Sequence, residues 1–459
     1  MNPSVVSSGA PLAARLSRTL VSIDPKALPE AVTAKVKVCL MDLIGCAFES
    51  QALPWSRQAA AIAAPVAPGT PDAATIIGSP VTASAGDAAF VNAVMGHGLV
   101  REDMHAGSFS HMGIVVIPTL LALAQARPVS GRAFITAAAC GYEVGGRIGR
   151  AVMDPALARI FRPTGITGPL AAAAAGARLM AFDEPATTSA LGLAANMVAG
   201  YNQWAHTGGS EMFFHAGTAA RNAVTVVRLA GLGAFGSPSA LDGEGGLFAA
   251  LRKSPDPDTI RLFEDSAEIL SVYHKPVPAC NFAQTACQAA LGVSRDAGGV
   301  PDRIARIDIR VPRAAAMYPG CDHTGPYATV LQAKMSIQYN VAAALMKGGV
   351  SEDNFTLLAD PTLHGLIGRM TLQIDDAMTQ AFPARQGAQV TVTLADGTEH
   401  RLRLDNVVNA TADDVRTRFR IATEQAMGAF RTAAIEEFID SLETADDAGR
   451  LGALLRPDR

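Results

Sequence analysis

The sequence has little of three features that identify common protein classes: aromatic residues, net charge and long apolar runs. Of its 459 residues only 5% are aromatic, and the formal net charge is −4. Without a basic excess to attract phosphates, neither nucleic acid nor an anionic membrane is expected as a partner. The most apolar stretches, such as 169–181, are interrupted by Gly or Arg and fall short of the ~20 residues that a membrane span needs.

The cysteines lack the spacing of a disulfide framework or a metal site. Six are scattered along the chain without a CxxC pair, and most have apolar neighbours. Buried free thiols in a reducing compartment are therefore expected. The N-terminus shows no charged start followed by an apolar run, so no signal peptide is expected. These absences together predict a soluble, cytoplasmic protein.

Sequence motifs for common cofactors are also missing. No Walker sequence, HExxH motif or GxSxG elbow occurs. The glycines of GYEVGGRIG at 141–149 follow no strand and lie within a helical pattern, which favours close helix packing over a dinucleotide loop. The three histidines at 97, 105 and 111 match no metal-binding template. Neither a metal nor an organic cofactor is expected.

What the first half of the chain does contain is a succession of helical patterns. The composition, 49% apolar and 17% charged, is that of a globular protein, and the length is that of two domains. Abundant Ala and Gly favour helices that pack closely. Apolar periodicity predicts helices at 29–49, 83–95, 114–126, 131–153, 167–181, 186–199 and 217–232.

The pattern changes after SPDPD at 254–258. Residues 303–311 and 369–374 alternate with a period of two, and 389–404 predicts a hairpin around Asp396-Gly397. Helices are predicted between them at 282–296 and 332–346. The fold expected is mainly α with an inserted α+β domain. The large all-helical domain comprises 1–268 and 406–459, and the smaller α+β domain 269–405.

The stretch NAVMGHGLVREDMHAGSFSHMG at 92–113 concentrates titratable side chains between two apolar helices. Desolvating such a loop is costly, so it either faces water or lines a cleft. Arg162 begins RPTGITG, directly before an Ala-rich helix whose N-terminus either holds an anion or is simply capped. A third polar stretch runs from 206 to 217, where His215 is a possible cap. His274 and Lys275 open the α+β domain beside two prolines, at a junction where small-molecule sites are common.

In order along the chain, these stretches resemble the MmgE/PrpD family, which includes 2-methylcitrate dehydratases, cis-aconitate decarboxylases and iminodisuccinate epimerases. The resemblance implies a helical domain with an α+β lid domain, a cytoplasmic homodimer, and no metal or organic cofactor. The matching segments are DLIGCAF (42–48), SAGDAAFVNAVMGHGL (84–99), HMGIVVIPTLLALAQ (111–125), RPTGITGPLAAAAAGARLM (162–180), HAGTAARNA (215–223), HKPVPACNFAQTACQAAL (274–291) and AKMSIQYNVAAALMKGGV (333–350).

The chain departs from this family at several polar positions. The family's first loop usually runs His-x-x-Asp-x-Asp-Asp-Thr, then a His; here Val100 replaces the first Asp and Met104 the Thr. Met212 stands where a Lys is usual, and Arg162 where a His is usual. With fewer polar partners for buried carboxylates, these departures predict a substrate with fewer carboxylates or with a hydrophobic portion.

The resemblance implies a lyase that moves a proton at the carbon next to a carboxylate, with dehydration the first expectation. Decarboxylation, epimerisation and a non-catalytic ligand-binding dimer are the alternatives. His111 is expected as base or proton donor, and Lys275 with Arg162 as the carboxylate clamp. Asp103 is expected to orient a histidine or arginine, and Tyr318 to protonate a leaving group. His97 is expected to be a structural residue at a helix end. The predicted substrate-binding residues are Arg162, Thr164, His105, Val100, Met104, Met212, His274 and Cys280.

Overall fold

The computed structural model describes residues 9–298 and 301–457, and helices dominate its first half. All seven helices predicted there are present, with their ends shifted by a few residues. The helices of this half are α1 (Leu12–Ser22), α2 (Glu30–Ser50), α3 (Pro54–Ala61), α4 (Ala85–His97), α5 (Gly113–Leu123), α6 (Gly131–Val152), α7 (Pro163–Leu179), α8 (Glu184–Ala195), α9 (Trp204–Thr207), α10 (Glu211–Gly231) and α11 (Leu247–Ala250).

Helices α4, α5, α6, α7 and α10 form the centre of this half and pack closely on one another. Small residues permit the approach, as the glycine-rich segment of α6 shows. A Cβ added at Gly145 would lie 2.7 Å from the Cβ of Ala171 in α7 and 2.6 Å from the sulfur of Met112. Gly141 and Gly145 thus serve helix packing, as the sequence predicted, whereas Gly146 and Gly149 make room for Glu268 and Ser108.

The second half carries a four-stranded sheet in the order β6-β5-β7-β8. Strands β5 and β6 are parallel, whereas β7 and β8 form the predicted hairpin, with Ala388 opposite Leu404. Helix α12 packs on β7 and β8 and also against α15. The elements are α12 (Gln284–Asp296), β5 (Ile304–Val311), α13 (Arg313–Ala316), α14 (Val330–Met335), α15 (Ile337–Lys347), α16 (Pro361–Ile367), β6 (Met370–Ile374), α17 (Asp376–Ala381), β7 (Ala388–Leu394) and β8 (Glu399–Leu404).

The single helix predicted at 332–346 is wrong, because α14 and α15 are separate helices. Ser336 between them is extended, with ψ 123°, and its hydroxyl accepts a hydrogen bond from the Tyr339 N–H at 3.0 Å. A serine in this position satisfies one of the free amides of the following helix. The periodicity of apolar residues continues across the break and conceals it.

The C-terminal helices are α18 (Ala412–Met427), α19 (Ala429–Asp440) and α20 (Arg450–Leu454). Helix α18 packs along α2 in the first half of the chain. Within the described residues, no helix is long and apolar enough to cross a membrane.

Four short strands escaped the sequence analysis, and one pair of them builds the candidate site. Strands β1 (Ala73–Thr75) and β2 (Thr82–Ser84) pair with each other. Strand β3 (Asp103–His105) pairs antiparallel with β4 (Val272–His274), and Asp103 lies opposite His274. Three residues are too few for alternation to be recognised. This pairing brings the polar 92–113 stretch next to Lys275.

Candidate active site

A cavity, which we call the inner cavity, lies beside the β3–β4 pair and has a volume of about 410 Å³ when the open space at its mouth is included. Its wall combines the loop after α4, the start of α7, the segment at 280–282 and Tyr318. Many of the residues predicted from sequence therefore meet in one place. The lining residues are Val100, Met104, Phe109, His111, Arg162, Trp204, Met212, Cys280, Asn281, Phe282, Tyr318 and Met335.

The tautomer of His111 follows from its hydrogen bonds. Its Nδ1 lies 2.9 Å from Glu102 Oε1 and 3.0 Å from the backbone oxygen of Asp103. Both partners are acceptors, so Nδ1 carries the proton and Nε2 holds a lone pair. Burial lowers the pKa of His111 to about 3, and the charge of Lys275 adds to the effect. At neutral pH this side chain on the wall of the inner cavity is a neutral imidazole.

A chain of contacts continues from Glu102 to the cationic side of the inner cavity. His97 Nδ1 lies 2.7 Å from the same Glu102 oxygen, and Arg162 donates to His97 Nε2 at 2.9 Å. An arginine only donates, so His97 has its proton on Nδ1. His97 is fully buried. It lies at the end of α4, as predicted, but also links Arg162 to Glu102.

Glu102 is the centre of this charge cluster. Burial alone would raise its pKa, but His97, Lys275 and His111 outweigh burial and hold the pKa well below the usual value. Its Oε1 accepts from both histidines, whereas its Oε2 is buried and has no hydrogen-bond partner in the described part of the chain. An ionised carboxylate in this position holds both rings in fixed orientations.

Lys275 belongs to the same cluster but does not line the inner cavity. Its side chain is fully buried, and its Nζ donates to the backbone oxygen of Ala279 at 3.3 Å. Burial lowers its pKa, and the carboxylate of Glu102 opposes the shift. Lys275 lies close enough to His111 for its charge to lower the His111 pKa, and both side chains act on the charge of Glu102.

Asp103 makes different contacts from those expected. Its carboxylate accepts from the hydroxyl of Tyr142 and, at 3.1 Å, from the Gly113 N–H. The expectation that it orients a histidine or arginine does not fit these bonds. Burial raises its pKa. The neighbouring Glu102 occupies the orienting position instead.

Three other predicted residues lie around the inner cavity without lining it. Thr164, in the first turn of α7, accepts from the His111 N–H at 3.1 Å and so fixes the backbone of the candidate base. His274 Nδ1 lies 2.8 Å from Asp42, and its buried Nε2 has no partner among the described residues. Both ring nitrogens of His105 are occupied, by Ser108 at 2.8 Å and by Glu268 at 2.7 Å. His105 is therefore held as a structural group.

Tyr318 and Cys280 lie on the wall formed by the second half of the chain. The Tyr318 oxygen accepts from Asn202 Nδ2 at 3.1 Å, and burial raises its pKa to about 12. It therefore keeps its proton at neutral pH and has that proton free to donate. The sulfur of Cys280 lies 3.6 Å from that of Cys321, and both are free thiols.

The remaining wall is apolar and partly strained. Val100 and Phe109 have φ values of 58° and 55°, in the left-handed region that non-glycine residues rarely adopt. Such strain costs of the order of 1–3 kcal/mol and is concentrated at functional sites. Met104 and Met212 lie on the same wall, so each residue that replaces a polar family position faces the inner cavity.

Glu102 and His97 are the residues whose contacts the sequence analysis missed. The signal available was the charge of the 92–113 stretch itself, since a buried Glu must have partners. Two histidines at distances of five and nine residues were the candidates. His215, predicted as a possible cap, instead lies inside α10, and burial together with Arg162 lowers its pKa to about 4.

Comparison with known proteins gives the family. A model of the MmgE/PrpD N-terminal domain matches residues 14–260, and one of the MmgE/PrpD C-terminal domain matches 277–444. Within the residues described, no group of three or more His, Cys, Asp or Glu side chains is arranged to hold a metal ion.

Three curated proteins illustrate the range of relatives. A cis-aconitate decarboxylase-like protein of Aspergillus oryzae is 26% identical over 96% of each chain. A cis-aconitate decarboxylase of Aspergillus terreus is 30% identical over 47% of this chain and 44% of its own. A mitochondrial 2-methylcitrate dehydratase of Yarrowia lipolytica is 32% identical over 26% of this chain and 25% of its own.

Proposed function

Because the chain belongs to the MmgE/PrpD family, we propose that it is a lyase that moves a proton at the carbon next to a carboxylate of a small acid. The observation that carries this proposal is the orientation of His111. Its Nδ1 proton is directed at Glu102 and the Asp103 carbonyl, which leaves the Nε2 lone pair for a substrate in the inner cavity.

A proton next to a carboxylate is weakly acidic, so its removal needs both a base and nearby positive charge. His111 supplies the base. Arg162 binds the carboxylate from the wall of the inner cavity, and Lys275 stabilises the enediolate charge from behind it. The anionic substrate also offsets the two cations, which raises the pKa of His111 towards the range of an effective base.

Glu102 is the positioning residue in this scheme, in the role that Asp103 was expected to fill. It fixes the tautomer of His111 and stabilises the imidazolium that forms when the proton is taken. Tyr318, protonated at neutral pH, is the proton donor to a leaving group. His97 keeps Arg162 and Glu102 at a fixed separation.

Dehydration remains the first reaction proposed, with Tyr318 protonating the departing hydroxyl. Decarboxylation is the second candidate, because a relative matched over 96% of both chains is named a cis-aconitate decarboxylase-like protein. In that reaction the carbanion left by CO₂ takes a proton from Tyr318, because the Nε2 of neutral His111 carries none. Both reactions use the same cationic clamp and the same donor, whereas only dehydration needs His111 as a base.

The proposed substrate has fewer carboxylates than 2-methylcitrate, or carries a hydrophobic portion. Among the lining residues in the described part of the chain, Arg162 is the one cation. Val100, Met104 and Met212 offer an apolar surface at positions where the family usually has polar groups. Additional buried carboxylates would have no partners there.

We further propose that 269–405 acts as a lid domain and that the protein is a homodimer. A lid domain must form part of the wall of the inner cavity. The segment 269–405 does so through Cys280 and Tyr318. Light scattering in solution tests the dimer: a mass of one chain would contradict it.

The experiment that tests the function is incubation with hydroxy- and unsaturated di- and tricarboxylates in D₂O. Deuterium incorporated next to a carboxylate, and lost again in His111→Asn, supports the lyase. Asn keeps a donor for Glu102 but has no basic lone pair at the Nε2 position, so it is the matched control. Binding without exchange would instead support a non-catalytic ligand-binding protein.

A further inference from the structure

A second cavity, which we call the outer cavity, has a volume of about 910 Å³ when the open space at its mouth is included. It is lined by residues from both halves of the chain. The lining residues are Pro155, Ala156, Arg159, Arg313, Ala314, Met317, Thr379 and Phe382. No carboxylate is among these described residues, whereas two are arginines.

Two chain segments contribute to both cavities. The segment 155–162 presents Arg159 to the outer cavity and Arg162 to the inner one. The segment 313–318 presents Met317 to the outer cavity and Tyr318, the next residue, to the inner one. Asn202 ties the two segments together, since its Nδ2 donates to the Ala158 oxygen at 2.6 Å as well as to Tyr318.

A third connection is aromatic. The ring of Phe382, in the wall of the outer cavity, lies 5.7 Å from Phe109 and 5.8 Å from Phe282, measured between ring centroids. Both partners line the inner cavity. Phe382 therefore stands between the two spaces. Aromatic rings at such distances pack without polar bonds, so the side chain can turn without breaking a hydrogen bond.

The two arginines of the outer cavity have no compensating acid. In the described residues neither Arg159 nor Arg313 forms a salt bridge, and both are exposed. The neighbouring Asp154 is already paired with Lys253. Two uncompensated guanidinium groups around a concave, carboxylate-free surface create a positive potential that attracts anions.

We propose that the outer cavity is the antechamber of the inner cavity: Arg159 and Arg313 collect the carboxylate substrate, and the Phe382 ring separates the two spaces. This proposal rests on the proposed function, since it assumes an anionic ligand in the inner cavity. The two arginines are selectivity determinants for association. They do not touch the reacting atoms.

Trp204 provides the measurement, because it lines the inner cavity and the chain has only two tryptophans. In a Trp55→Phe background its fluorescence reports ligand arrival alone. Stopped-flow mixing with cis-aconitate, fumarate and crotonate then gives association and dissociation rate constants for a trianion, a dianion and a monoanion.

The charge-reversed variant Arg159→Glu/Arg313→Glu should associate with cis-aconitate at least about tenfold more slowly at low salt. The effect should decrease from trianion to monoanion and shrink to less than about threefold at 1 M salt, where the Debye length is about 3 Å. Dissociation should change by less than about twofold. The matched control is Arg57→Glu/Arg401→Glu, which makes the same charge change at two exposed arginines outside both cavities. It should alter association by less than about twofold.

Phe382→Ala tests the partition between the cavities. Association and dissociation should both accelerate, by similar factors, so that the dissociation constant is retained. Unchanged association in the arginine variant, or an equal loss in the Arg57/Arg401 control, would overturn the antechamber. Absence of any Trp204 response to all three acids would overturn it as well.

Deuterium exchange on the same samples separates this proposal from the function. Charge-dependent association without any exchange rejects the lyase and leaves the antechamber standing. If the rate of deuterium exchange at subsaturating acid is the same in Arg159→Glu/Arg313→Glu as in the parent protein, the antechamber is rejected and the lyase is not.

Discussion

Two fully buried lysines, Lys275 and Lys334, differ in how many hydrogen-bond partners surround their ammonium groups. The Lys334 Nζ donates to the backbone oxygens of Leu99 and Pro278 at 3.1 and 3.0 Å, and to Glu352 at 2.7 Å. It also lies 4.1 Å from the centroid of the Phe355 ring. Among the residues that the structure describes, Lys275 has a single hydrogen-bond partner, the Ala279 oxygen at 3.3 Å.

This difference distinguishes a lysine with a full set of partners in the fold from the lysine that we propose stabilises the charge of a ligand. An ammonium group has three protons to donate, and those of Lys334 are all used within the protein. The charge of Lys275 is balanced by Glu102 at a distance, next to a cavity. Burying a charge with few partners is costly. The negative charge of a substrate carboxylate in the nearby cavity would offset that cost.

The largest effect expected is on the candidate base in the Lys275 region. His111→Asn should reduce kcat by about 10²- to 10⁴-fold, the usual contribution of general acid–base catalysis. The free energy of unfolding should change little, because Asn keeps a donor for Glu102. Turnover measured by deuterium exchange, with chemical denaturation alongside, checks both. Full activity in this variant would remove His111 from the mechanism.

The second-largest effect on activity is expected for Lys275→Met. Loss of the cation should lower kcat/KM by an amount equivalent to about 2–4 kcal/mol, the cost of losing one donor to a developing oxyanion. Its free energy of unfolding should fall less than that of the Lys334 variant below. An unchanged kcat/KM would place the second cation of the clamp elsewhere.

Lys334→Met should have the opposite effect: a loss of stability without a loss of activity. It leaves the oxygens of Leu99 and Pro278 buried without donors, and each such loss costs about 1–3 kcal/mol. Glu352 is partly exposed and can return to water, so the two unsatisfied oxygens together should destabilise the protein by about 2–6 kcal/mol. Urea denaturation measures it, and kcat of the folded fraction should be unchanged. If the two lysine variants behave alike, the comparison fails.

The sequence was sufficient for seven helices of the first half and for the hairpin, because periodicity and an Asp-Gly turn are local signals. It did not indicate α1 or α3. It was insufficient at Ser336, where periodicity continued across a helix break. It also missed β3 and β4, since three-residue strands have no detectable period. The two strands pair with each other although they lie more than 160 residues apart in the chain, so the pairing depends on tertiary packing.

The sequence indicated which residues line the inner cavity better than it indicated which residues contact each other there. Val100, Met104, Met212 and Arg162 all line the inner cavity, as their positions in the resemblance implied. The roles of two neighbouring acids were not separable from the sequence. Glu102 lies just before β3 and Asp103 is the first residue of that strand, and no local pattern indicates which of two adjacent carboxylates contacts the histidines.

The smallest effect expected concerns the pH dependence of stability. Burial lowers the pKa of His111 to about 3, whereas an unfolded histidine titrates near about 6.5. As pH falls below about 6.5, the unfolded chain binds this proton and the folded protein does not. Stability should therefore decrease with falling pH through this window, by at most about 1.4 kcal/mol per pH unit for this group.

His111→Asn should remove that contribution, so its loss of unfolding free energy between pH 7 and pH 5 should be about 1–2 kcal/mol smaller than in the parent protein. Lys275→Met should reduce the same loss in part, because the charge of Lys275 helps to keep His111 neutral. Lys334→Met should leave the His111 contribution to the slope intact, since its cation is held by Glu352. Urea denaturation at each pH measures all three. An equal change of slope in both lysine variants would mean that Lys275 has no special influence on His111.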